Sequence, residues 1–111
     1  MERSVNKILE DILNAILEID SFFDTRPKRY DAYLTDVCLR RAVERNITII
    51  GEAMNRLLRI APDIEITAAR RIVDTRNYVI HGYDSVTDDI MWGIVMRHLP
   101  LLRDEVEQLL K

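Results

Sequence analysis

Apolar residues open the chain at intervals of three and four: Val5, Ile8, Leu9, Ile12, Leu13, Ile16, Ile19 and Phe23, with Glu10, Asp11, Asn14 and Glu18 between them. That is the period of an amphipathic helix. It predicts a first helix over 4–23, with Ser4 placed to cap its start. "DTRPKRYD" (24–31) interrupts the pattern, because Pro27 disfavours helical backbone at Arg26. A longer second helix is predicted over 31–60. Along it Leu34, Val37, Cys38, Arg41, Ala42, Arg45, Ile49, Glu52, Ala53 and Arg56 fall near one stripe, with Leu57 and Ile60 alongside. Gly51 inside this helix costs roughly 1 kcal/mol against Ala, which suggests close approach of another helix. Pro62 in "APDI" (61–64) ends it.

A third helix is predicted over 66–80, capped by Thr67 or Asp63, with Ile72, Val73, Val79 and Ile80 as its apolar contacts. Gly82 stops it in the position where helices favour glycine. The fourth starts near Thr87. Asp88 and Asp89 lie in its first turn, where negative charge meets the helix dipole favourably, and Ile90, Met91, Ile94, Val95 and His98 follow. Pro100 kinks or splits this helix, and Leu101, Leu102, Val106, Leu109 and Leu110 form the apolar face beyond. Nothing alternates as a strand. The expected fold is all-α: one domain over 1–111, an antiparallel four-helix bundle with its last helix kinked or split at Pro100.

Composition agrees and narrows the function. The chain has 111 residues, 48% apolar and 32% charged, with only 3 Gly and 3 Pro, so long helices with short connections are expected. A net charge of −3 excludes global electrostatic attraction to nucleic acid. Thirteen of the 16 basic residues are nevertheless Arg, the better residue for forked contacts to phosphate. RNA binding therefore needs a local basic cleft, for which Arg40, Arg41, Arg45, Arg70, Arg71 and Arg76 are the candidates. Cys38 is the sole cysteine, which excludes an internal disulfide and a cysteine-based metal cluster. It reads as a small core residue. No signal-like leader and no apolar run of membrane-spanning length is seen, so a cytoplasmic protein is expected.

One stretch carries more polarity than a packing helix needs: "RNYVIHGYDSV" (76–86). On a helix, Asn77 and His81 stack at i and i+4, and Asp74 and Arg70 continue the same row toward the N-terminus. Arg76 is about 140° away from His81 on an ideal wheel. A loosened helix end, or a second copy of the segment across a dimer axis, brings the two together. The plain structural reading is a helix C-terminus stabilised by a histidine. The chemical reading is metal-free cleavage of RNA. A His near neutrality moves protons, an Arg holds phosphoryl oxygens, and the substrate's own 2′-OH is the nucleophile. No metal-ligand set accompanies them. His98, isolated on an apolar helix, reads as structural.

"RNYVIHGY" resembles the R-x4-H-x-Y signature, with Asn after the Arg, of HEPN-superfamily proteins of the HepT type. "RAVERNITIIGEAMNRL" (41–57), with its "IGEA", resembles the second helix of that family, and the similarity extends over essentially the whole chain. The resemblance implies an all-α bundle that forms a homodimer, with the Arg-to-His segments of both copies lining a shared cleft. It implies a toxin of a toxin–antitoxin pair, acting as a metal-independent endoribonuclease without a cofactor. Arg76 and His81 inherit the catalytic role, and Asn77 a supporting one. Tyr83 inherits the position that an MntA-like nucleotidyltransferase antitoxin modifies with AMP. Glu52 falls on a family-like position as a supporting partner for Arg76. Two other readings stay open. In one, the bundle is a non-catalytic, nucleotide-binding partner of the transferase. In the other, it is a plain helical dimerisation domain.

Overall fold

The computed structural model describes the backbone of residues 3–81 and 84–111, and the side chains of 3–75 and 88–111. These form six α-helices and one π-helical turn: α1 (Arg3–Phe22), α2 (Tyr30–Thr35), α3 (Val37–Ile60), α4 (Ala69–His81), α5 (Asp84–Gly93), the π turn (Ile94–His98) and α6 (Leu99–Leu109). No helix is long and apolar enough to cross a membrane among the described residues.

The first helix follows its pattern. Val5, Ile8, Leu9, Ile12, Ala15, Ile16 and Ile19 are buried. Ser4 lies inside the first turn, because α1 already includes Arg3.

The predicted second helix is in fact two. Asp36 is extended (φ −105°, ψ 94°), and its carboxylate accepts the Leu39 N–H at 3.0 Å. A short acidic side chain that bonds the backbone two or three residues on starts a helix instead of continuing one. Those bonds to Leu39 and to Arg26 hold the Asp36 carboxyl below the usual carboxylate range. The break matters for register. The buried row of α3 is Leu39, Val43, Asn46, Ile47, Ile50, Ala53, Met54 and Leu57. The row expected from Leu34 and Cys38 lies about one residue, or roughly 100°, away from it. Arg41, Arg45, Ile49, Glu52 and Arg56 are accordingly exposed. Cys38 is exposed as well, and is not the core residue its apolar neighbourhood suggested. Gly51 is buried.

The third helix starts at Ala69, later than its pattern implied, and Thr67 does not cap it. The Thr67 N–H and hydroxyl both donate to the Glu105 carboxylate of α6, each at 3.0 Å. Ala68 is held at φ 61°, and its carbonyl accepts the Ile72 N–H at 3.0 Å. The fourth helix starts at Asp84, ahead of Thr87, and it is split as Pro100 implied. Pro100 has no N–H for the Met96 carbonyl, and its ring crowds that carbonyl. The chain widens one turn before it, so that the Leu99 N–H reaches the Ile94 carbonyl, five residues back.

α3 is the central helix, packed between α1 and α4, and α6 returns against α1. The molecule is 18 Å thick in its shortest direction, close to two helix diameters. α5 is tied to α2 and to the opening of α3. Trp92 packs against Tyr33 (ring centroids 5.1 Å) and Phe23 (5.9 Å). Tyr30 donates to Asp89, and Arg40 lies 4.0 Å from Asp88.

Candidate active site

The backbone of Arg76, Asn77 and His81 lies in the last turns of α4. Their side chains, and residues Gly82 and Tyr83 altogether, lie outside the described residues. The first half of the same helix is described. Arg70 and Asp74 stand on the row that helical register carries on to Asn77 and His81, at steps of four, three and four.

Arg70 and Asp74, with Arg71 and the buried Thr75, form one wall of a groove of about 540 Å³. Ile90, Gly93, Ile94, Arg97 and His98 form the other, so the groove runs between α4 and the end of α5 with its π turn. The Thr75 hydroxyl donates back to the Ile72 carbonyl at 2.6 Å, leaving the groove's polarity to the charged groups. Among the described residues, three guanidinium groups share the groove with one carboxylate. None of the three takes part in an ion pair among the described residues. His98 is half-buried between them. Burial first, and then the charges of Arg71 and Arg97, push its imidazole below the ordinary histidine range. A histidine held neutral beside cations regains its proton when an anion enters.

A second trough continues the first. It shares Arg70, Arg71 and His98, and is floored by Leu58, Pro62, Ile64 and Leu101.

The sequence-derived basic cleft is divided by the structure. Arg40 is engaged with Asp88 and with the Leu34 carbonyl, and Arg41 with Glu44 at 3.0 Å. Arg45 is exposed on α3. Arg70 and Arg71 are the members brought into a groove. Arg97 and His98 join them. The apolar pattern marks neither as a site residue and makes His98 structural. Their one signal in the sequence is Pro100, which disfavours a regular α-turn just before it. Glu52 is exposed along a separate groove between α1 and α3, with Asp11, Glu18 and Arg56. Its pairing with Arg76 involves a side chain outside the described residues. Among the described residues no group of three or more His, Cys, Asp or Glu side chains is arranged to hold a metal ion.

A "Ribonuclease HepT-like" family model matches residues 12–109. The chain belongs to the HepT-like family. It is 35% identical to "Probable ribonuclease HepT" of Thermococcus cleftensis, over the full length of both chains. It is 29% identical to a "Putative RNase" of Methanocaldococcus jannaschii, across 99% of this chain and 90% of that one. A "Putative RNase" of Caldanaerobacter subterraneus is 28% identical across 89% of this chain and 91% of its own. No solved structure matches significantly.

Proposed function

We propose that the chain is a metal-independent endoribonuclease, the toxin of a toxin–antitoxin pair, acting in the cytoplasm as a homodimer with Arg76 and His81 as its catalytic residues. The observation that carries this reading is the R-N-x3-H-G-Y run over 76–83, in a chain that the HepT-like model matches over 12–109. His81 removes the proton from a ribose 2′-OH. The 2′-oxygen attacks the adjacent phosphorus and the 5′-oxygen leaves, giving a cyclic phosphate end. The second copy's histidine supplies the leaving group's proton. Arg76 holds the non-bridging oxygens as their charge builds. Asn77 orients the imidazole or donates to phosphate, and Glu52 supports Arg76.

Tyr83 is the proposed point of control. An MntA-like nucleotidyltransferase lets the tyrosine oxygen attack the α-phosphorus of ATP, releasing pyrophosphate and leaving AMP on the ring. The added negative charge, two residues beyond His81, repels RNA phosphate, and the added bulk blocks approach.

The test uses protein purified without its partner, with intact mass showing an unmodified Tyr83, incubated with tRNA and mRNA in EDTA. Cleavage to cyclic phosphate ends by the wild type, lost on His81→Ala and on Arg76→Ala, is the expected result. If the unmodified wild type cuts neither RNA, the ribonuclease reading fails. The cluster is then a docking or nucleotide-binding surface for the transferase.

A further inference from the structure

We propose that the groove between α4 and the π turn is a phosphate subsite for single-stranded RNA, leading the strand along α4 into the Arg76–His81 segment. This rests on the ribonuclease reading and adds residues that the R-x4-H-x-Y run does not contain.

Charge is the first observation. The molecule carries a net charge of −3, yet Arg70, Arg71 and Arg97 share one groove with Asp74 as its one carboxylate among the described residues. Like charges so placed repel unless an anion lies between them. Several surface arginines elsewhere are neutralised: Arg26 lies 3.1 Å from Asp36, Arg41 3.0 Å from Glu44, and Arg103 2.8 Å from Glu107. Arg45, Arg56 and Arg59 also have no ion pair among the described residues, but the groove gathers three such arginines along one lining.

The second is shape. The trough that shares Arg70, Arg71 and His98 is floored by Leu58, Pro62, Ile64 and Leu101, the last of them 46% exposed. Cations beside an exposed apolar shelf suit a nucleotide, whose phosphate and base need both surfaces side by side. A free inorganic anion has no use for the shelf.

The third is position. Arg70 and Asp74 share a helical row with Asn77 and His81, and positions 70 and 81 lie about 16 Å apart along the axis at the α-helical rise. A strand held at Arg70 and Arg71 reaches the motif after a short run of nucleotides. The π turn is the device that completes the subsite. Such turns occur mostly as single insertions in α-helices and often at functional places, and this one carries Arg97 and His98 on the wall facing α4.

The experiment is binding of a fluorescent single-stranded oligonucleotide, 2′-O-methylated throughout so that it cannot be cut, by the full unmodified chain at several salt concentrations. Arg71→Gln/Arg97→Gln is expected to bind roughly tenfold more weakly. The slope of log affinity against log salt becomes shallower by ~0.7 for each phosphate no longer neutralised. Leu101→Ser weakens binding without changing that slope. A charge-matched control, Arg29→Gln/Arg59→Gln, binds as the wild type does. All these side chains are exposed, and thermal melting checks that each variant is folded. If the wild type cleaves RNA while the groove variants bind as it does, or the control falls equally, the subsite is overturned and the ribonuclease reading stands. If the wild type neither binds nor cleaves RNA, both are overturned.

Discussion

His98 is the residue at which local chemistry departs furthest from its apparent place in the pattern. It stands on the π turn with Arg97 beside it, and it faces Arg70, Arg71 and Asp74 from α4. Its folded pKa is lowered, mainly by burial and further by Arg71 and Arg97. The unfolded chain therefore binds a proton near pH 6.5 that the native state still refuses. Stability is fully present above that pH and is lost as pH falls through the lower folded value. His98→Gln removes the difference. The melting temperature of the wild type, followed from pH 7.5 to pH 5, is expected to fall by ~1–3 °C more than that of the variant. Parallel curves for the two proteins mean that the imidazole is as well solvated folded as unfolded. Tyr33 gives a second measure at this scale. Its ring is wholly buried, and its hydroxyl finds no hydrogen-bond partner among the described residues. Burial pushes that hydroxyl well above the usual tyrosine range, so it stays neutral at any working pH.

Among elements, the π turn shows two causes of similar size. Pro100 denies the Met96 carbonyl its usual donor and its ring crowds that carbonyl, together worth about 3 kcal/mol in a regular helix. Leu99 is 2% exposed, and burying such a side chain is worth about 1.5–3 kcal/mol. Without the extra residue in the turn, the row of Met91, Ile94 and Val95 would carry His98 into the core in place of Leu99. Burial of Leu99 remains when the proline is removed, so the turn is expected to survive Pro100→Ala. The NMR titration of His98 then stays below the ordinary range. Leu99→Ala, by contrast, costs about 2–5 kcal/mol. A titration that returns to normal in Pro100→Ala shows that the proline alone sets the turn. The same comparison explains what periodicity could show. α1 was legible because one uninterrupted row faces the core. α3 was displaced by one residue because the Asp36 carboxylate restarts the helix, and a capping bond leaves no trace in an apolar period. The R-x4-H-x-Y run was legible because its residues are neighbours in sequence. The groove was not, because Arg70 and Arg97 are brought together only by packing and by a turn of non-standard pitch.

At the scale of the whole molecule, one helix presents Arg76 and His81 about 140° apart on an ideal wheel. The proposed chemistry also asks for a base and an acid, while the segment offers one histidine. A second copy resolves both difficulties if the two segments face one cleft. That arrangement makes a quantitative demand. When wild-type chains are mixed and reannealed with His81→Ala chains in equal amounts, about one half of the dimers are mixed and about one quarter are wild type, by random pairing. If each cut needs both histidines, only the wild-type quarter is active. Activity then falls with the square of the wild-type fraction. If each chain carries a complete site of its own, activity falls linearly and about one half survives. Cleavage measured across a series of mixing ratios separates the two curves most widely near equal amounts. A square law is the expected outcome. A straight line would move the acid–base work onto one subunit and require a second proton donor within reach of the same His81.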